Sequence, residues 1–331
     1  MIAPYLMRLY LLRLLCLSLA SFFLVHATLS LSTWLATPAA IRLAKRLRPR
    51  LAARFLLALR LLPAGAALFV VAGLCVPSYL WLEPATKPEL VGFACWAAAL
   101  LGTGVWGISI ARGLRAVCGS LQYYRRCERA GREARLPSGG GSPLLVVEGE
   151  APLVALAGVL RSRIVISRGV LRALSPVELD AVLRHERAHR ASGDNFKRLL
   201  LVLAPDIFPF SRGSAALDRA WARFSEWAAD DRAVGGDSRR SLSLAAALVR
   251  VARMGAPRRE WLLSCLLADG ADLSARVDRL LLGDCLQEKP AWAMRALAGT
   301  IAIVATGMLM AAILQPATLY WVHRLLEHLI R

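Results

Sequence analysis

Four long uncharged stretches limit what this chain can fold into more than any other feature. They run from Leu15 to Ala36, Leu61 to Leu82, Leu90 to Ala111 and Ala296 to Leu319, and none contains Asp, Glu, Lys or Arg. A spanning α-helix needs about 20 apolar residues, and each stretch meets that length. Inside a bilayer the backbone must satisfy its own polar groups, so such segments are expected to be helices. The first follows Arg8 and Arg13, is too long for a secretory signal and lacks a small-residue cleavage site followed by a mature domain. The third carries Gly92, Gly102, Gly104 and Gly107, small residues that let neighbouring helices approach closely.

The basic residues orient these spans. The chain of 331 residues holds 42 Lys+Arg against 23 Asp+Glu, a net charge of +19. Arg42, Lys45, Arg46, Arg48, Arg50, Arg54 and Arg60 fall between the first two spans, and Arg112, Arg115, Arg125, Arg126, Arg129 and Arg132 follow the third. Only Lys87 lies between spans two and three. The positive-inside rule then puts both basic sides in the cytoplasm and the N-terminus outside, in a multi-pass protein of the inner (plasma) membrane. Membrane lipids are the partners this charge implies. No nucleic-acid module surrounds the arginines, so no direct nucleic-acid contact is expected. The seven cysteines form no C-x-x-C pair, which fits a reducing compartment and offers no thiolate metal site.

The chain divides into residues 1–111 with three spans, a polar region 112–290, and residues 291–331 with the fourth span and a short amphipathic tail. The polar region opens with a basic helical stretch to Leu136, then a Ser138–Ser142 glycine-rich joint. Leu144–Val147, Leu153–Ala157 and Ile164–Ser167 read as short strands, the last followed by a turn at Arg168–Gly169. Ser175, Pro176 and Glu178 form a capping-box signature for a helix from Pro176 to about Arg190. Further helices are expected near 215–234, 242–254 and 271–282.

The chemistry concentrates on two of these helices. His185 and His189 stand four apart, so on a helix they share a face and can hold one cation; Glu186 beside them can act as a general base toward water. With five histidines in the chain, a chance H-E-x-x-H is on the order of a few per thousand. Two surface histidines on an arginine-rich helix are the bland alternative. A zinc site needs a further ligand. Glu226 on a later helix supplies a carboxylate for a His2Glu set, and Asp230, one turn on, can orient a ligand histidine. Asp194 and Asp231 are rival acids, with Asp194 too close in sequence to reach back easily.

The run from Leu179 to His189, followed by Glu226-Trp227-Ala228-Ala229-Asp230, resembles the gluzincin membrane peptidases of the BlaR/MecR type, with HtpX-like peptidases as more distant kin. The resemblance implies an α-helical membrane protein with an α+β gluzincin metallopeptidase domain inserted between the third and fourth transmembrane helices. It implies Zn2+ as cofactor and a protein substrate such as a BlaI/MecI-like repressor. It also implies a strand edge at Val154, Ala155, Leu156, Ala157 and Gly158 that receives substrate by strand addition. The β-lactam receptors carry a sensor after their last span, and no such region follows Leu319 here, so β-lactam sensing is not expected. HtpX-like relatives place a histidine before an arginine near the site. Here only Arg276 is found, as an oxyanion stabiliser or as an ordinary helix charge. Within this reading stand a signalling endopeptidase, a housekeeping HtpX-like protease, and a non-catalytic receptor or scaffold, each compatible with an oligomer.

Overall fold

Apolar and basic stretches merge into three long helices. The computed structural model describes residues 2–83, 91–134, 144–159, 162–207, 212–255, 264–265, 270–283 and 315–330. Helix α1 spans Ile2–Ala44; α2 (Pro49–Val70) runs through a π-helical turn at Val71–Cys75 into α3 (Val76–Leu82); α4 spans Phe93–Ala130. The π-turn lies just before Pro77, whose missing N–H and ring clash with the preceding turn would otherwise break the helix. Met7–Ala44, Pro49–Leu82 and Phe93–Ala130 are each long and apolar enough to cross a membrane. The expected fourth span lies mostly outside the described residues; from Pro316 to Ile330 the chain forms α11.

The link between the first two spans is far shorter than the basic segment suggested. Only Lys45–Arg48 separates α1 from α2, and Arg42 and Arg50–Arg60 are helical. The reason is burial. Ala52, Leu56, Arg60, Pro63 and Ala67 form a helical stripe on α2, and its first half packs on Leu217, Ala220, Trp221 and Phe224 of α8 (Arg212–Val234). Arg60 joins this seam through Asp218, at 3.2 Å from Nε to Oδ1.

The helix through the basic stretch after the third span ends at Ala130 rather than Leu136, and the chain enters a sheet whose strands, among the described residues, are five in the order β1-β2-β4-β3-β5. Its strands are β1 (Gly131–Ala134), β2 (Leu144–Val147), β3 (Val154–Ala157), β4 (Arg163–Ser167) and β5 (Ser264–Cys265). The β2–β4 pair is parallel and the others antiparallel. The glycine-rich joint lies outside the described residues. Arg168 starts helix α5 (Arg168–Ala173) instead of a turn, because the Ser167 side chain caps it by accepting from Val170 N.

The strand Val154–Ala157 forms where expected, but it is not a bare edge. Ala155 and Leu156 pair with Cys265 and Ser264 of β5, and Gly158 lies just beyond the strand. An open row of N–H and C=O groups is a ready template for another strand, and here the chain itself fills part of it. One face of the sheet packs Leu144, Leu156, Ile164 and Ile166 against α6 (Pro176–Ser192), α9 (Ser238–Arg253) and α10 (Gly270–Leu281). Helix α7 (Asp194–Leu203) packs on α4.

The glycines of α4 are not equivalent. A Cβ on Gly102 would fall 2.7 Å from the Leu19 carbonyl oxygen of α1, whereas one on Gly104 or Gly107 would meet nothing within 4 Å. Backbone cannot yield as a side chain can. Gly102→Val is therefore expected to cost about 1–3 kcal/mol of stability, while Gly104→Val stays within about 0.5 kcal/mol, as read by thermal melts in detergent.

Candidate metal centre

The capping box forms as the sequence requires: Ser175 Oγ accepts from Glu178 N at 3.3 Å, and Glu178 Oε2 accepts from Ser175 N at 2.8 Å. From that fixed start, one face of α6 buries Leu179, Val182 and Leu183 and carries His185, Glu186 and His189 inward. All three functional side chains are fully buried, and Glu226 and Asp230 on α8 are nearly so.

The two helices bring their polar groups to one point. His185 Nε2 lies 3.1 Å from His189 Nε2, and these nitrogens stand 3.4 and 3.5 Å from the two Glu226 carboxylate oxygens. His185, His189 and Glu226 each offer a ligand atom, and these atoms lie within 4.8 Å of one another. The outer ring nitrogens face carboxylates. Asp230 Oδ1 stands 2.9 Å from His185 Nδ1, and Asp194 Oδ2 stands 2.7 Å from His189 Nδ1. An ionised carboxylate only accepts, so each Nδ1 carries a hydrogen, which leaves each Nε2 as the atom able to bind a metal once its own proton is gone. Both oxygens of Glu186 are buried without a hydrogen-bond partner among the described residues, and those of Glu226 face the two imidazoles and nearby guanidinium groups at 3.2 Å or more without a well-formed hydrogen bond. Buried acceptors left this way are costly unless a cation or water satisfies them, so the donor set fits a divalent metal.

Asp194 does reach back to His189, against expectation. Gly193 closes α6 at φ +67° and ψ 35°, a left-handed conformation that favours glycine, and α7 starts at once. That reversal folds Asp194 under the preceding turn. It also points Asn195 at the sheet, where its amide donates to Leu156 O and Gly158 O, each at 2.8 Å. Sequence reading set Asp194 aside and passed over Asn195; the Gly-Asp-Asn run at the helix end was the signal. Asp231 instead pairs with Arg279.

Arg276 is not an ordinary helix charge. It is 3% exposed, and its Nε and Nη2 donate to the two Asp230 oxygens at 2.9 and 2.7 Å. Its Nη1 lies 3.2 Å from Glu226 Oε2. With all three nitrogens turned to carboxylates, the guanidinium is positioned as a brace for Asp230 and Glu226 rather than for an oxyanion. Arg198 approaches Glu226 from the other side, at 3.6 Å, and lies over the Trp221 ring.

These contacts set the protonation states of the metal-free protein. Burial disfavours the charged His189, yet Glu226 and Asp194 outweigh it and raise the imidazole to about 10. His185 is raised in the same way, with Asp230 and Glu226 overcoming burial. Burial pushes Glu186 up. Against burial, the histidines and Arg276 hold Glu226 well below the usual range, and Arg276 and His185 hold Asp230 at about 2.

A model of peptidase family M48 matches residues 123–254, the segment that contains both histidines, Glu186, Glu226 and Asp230. The match supports the M48 metallopeptidase family. A comparison with curated proteins gives no match. Together with the apolar helices, the family match points to a membrane metallopeptidase whose domain is built around the cluster just described.

Two outcomes follow from the geometry. The folded His189 value lies above the ordinary 6.5, so its contribution to the stability of the metal-free protein is complete below about pH 6.5 and is lost as pH rises through about 10. Metal must displace those protons. Zinc uptake at pH 7 should release roughly one to two protons, and its apparent affinity should rise with pH, measured calorimetrically in buffers of differing ionisation heat. Asp194→Asn removes the carboxylate that fixes His189 and should weaken metal binding by about 10- to 100-fold in a chelator competition.

Proposed function

We propose that this chain is an integral membrane zinc endopeptidase that hydrolyses peptide bonds of a cytoplasmic or membrane-proximal protein. The observation that carries this reading is the meeting of His185, His189 and Glu226 within 4.8 Å, beside a fully buried Glu186. In this reading His185 Nε2, His189 Nε2 and a Glu226 oxygen hold the metal. A bound zinc supplies Lewis-acid polarisation of the scissile carbonyl and makes water acidic enough to react near neutral pH.

The chain's own residues do the rest. Glu186 takes a proton from the attacking water and delivers it to the departing amine nitrogen, and its raised pKa suits that exchange. Asp230 and Asp194 hold the histidine tautomers, and Arg276 balances the carboxylates behind them. Substrate enters as an extended strand along Val154, Ala155, Leu156, Ala157 and Gly158. The pairing of Ser264–Cys265 there is consistent with an edge that accepts a strand, and a substrate using the same hydrogen bonds must displace it. Asn195 holds this strand to the helix that follows the histidines.

By its resemblance to BlaR/MecR-type peptidases, the substrate is a transcriptional repressor of the BlaI/MecI kind, and the domain sits in the cytoplasm between the third and fourth spans. A housekeeping protease with broad substrates, or a non-catalytic scaffold, predicts different behaviour. The test compares wild type with Glu186→Gln, both purified in detergent, for zinc content and for cleavage of a co-expressed winged-helix repressor and of denatured casein. The variant is expected to keep its zinc and to lose about 10²- to 10⁴-fold in cleavage rate. Casein cleavage without repressor cleavage would favour the housekeeping reading. Bound zinc with no Glu186-dependent cleavage of either would favour the scaffold.

A further inference from the structure

A second polar site borders Asp194, the carboxylate that faces His189. Four cationic side chains line a cavity of about 160 Å3 there: Arg50 and Arg54 from α2, Lys197 from α7 and Arg232 from α8. Asp194 is the one carboxylate among the described lining residues, and both its oxygens are engaged. Oδ2 accepts from His189 Nδ1 and, at 3.0 Å, from the Ser225 hydroxyl; Oδ1 accepts from Lys197 at 2.7 Å. Arg232 is held in place by Ala188 O and Ser192 Oγ, at 3.3 and 3.1 Å, so its charge is fixed beside the cavity. Trp221 forms an apolar wall.

We propose that this cavity binds a phosphate group, carried by an anionic lipid headgroup or by a free phosphate compound. Cations that reach one space from three separate helices attract an anion along more than one direction. A phosphate directs oxygens along several axes and can meet donors from three sides, whereas a planar carboxylate faces one or two. The place fits both sources. Arg54 precedes the apolar segment of α2 by seven residues, about 10 Å of helix. The headgroup layer reaches roughly 5–8 Å beyond the hydrocarbon core, within range of an arginine side chain. The bound phosphate lies one side chain, Lys197, from the carboxylate that holds His189.

The test reads binding and needs no peptidase activity. Full-length protein in non-ionic detergent is titrated with inorganic phosphate, and melting temperature is followed. The same protein in nanodiscs is compared in phosphatidylcholine alone and with phosphatidylglycerol added. Arg50→Gln/Arg54→Gln is expected to weaken the response at least ten-fold, while Arg50→Lys/Arg54→Lys keeps part of it. Arg125→Gln/Arg126→Gln removes the same charge from an exposed face of α4 and should leave it unchanged. A response to inorganic phosphate identifies a soluble ligand, and one to phosphatidylglycerol alone identifies a lipid. No response to either, or equal losses in the α2 and α4 double variants, overturns the proposal.

Discussion

Burying charge is costly, and the interface between α6 and α8 buries more of it than any other described part of this molecule. His185, Glu186, His189, Glu226, Asp230 and Arg276 are each at most 3% exposed. An isolated ion placed there would cost several kcal/mol, so the arrangement survives only through pairing. Two relays supply it. One runs from Arg276 through Asp230 to His185, the other from Lys197 through Asp194 to His189, and Glu226 stands between their ends. The carboxylates of Asp194, Glu226 and Asp230 beside the two imidazoles favour protons on them in the metal-free state, which is why their pKa values rise. A divalent cation would take the place of those protons. The same electrostatic demand accounts for the pairing at this interface and would favour a cation at its centre.

Local signals were the readable part of this architecture. Ser175, Pro176 and Glu178 announced the start of α6, and helical spacing then placed His185 and His189 on one face before any tertiary contact was known. Glu226 and Asp230 were legible because they stand one turn apart on a second helix near enough in sequence to return to the first. What sequence did not disclose depended on packing. The basic residues 50–60 looked like a solvated link because their arginines dominate the composition, yet Ala52 and Leu56 are completely buried against α8. Asp194 looked unreachable from His189 because a continuing helix would carry it away; the left-handed Gly193 reverses the chain within one residue. Arg276 lies 46 residues from Asp230, and nothing local could tell a brace from a solvated charge.

The long apolar helices do more than flank the domain that matches the M48 family. Helix α8, which carries Glu226 and Asp230, is held between α6 on one side and α2 on the other. On the α2 side the contact combines Leu56 with Leu217, Trp221 and Phe224 and the ion pair of Arg60 with Asp218. Asp218 and Glu226 are eight residues apart, about 12 Å along one helix. A helix is stiff over that length, so displacement of the Arg60 contact must either move Glu226 or strain the apolar seam between them. Helix α4 holds the other half of the centre. Gly113 leaves room for Leu203 at the end of α7, where a Cβ would fall 2.2 Å from its side chain. The start of α7 is Asp194. Each histidine's carboxylate partner therefore rides on a helix seated against a different long apolar helix, His185's on α8 against α2 and His189's on α7 against α4. The geometry of the centre thus depends on the relative positions of α2 and α4, and among the described elements α1 packs extensively against both.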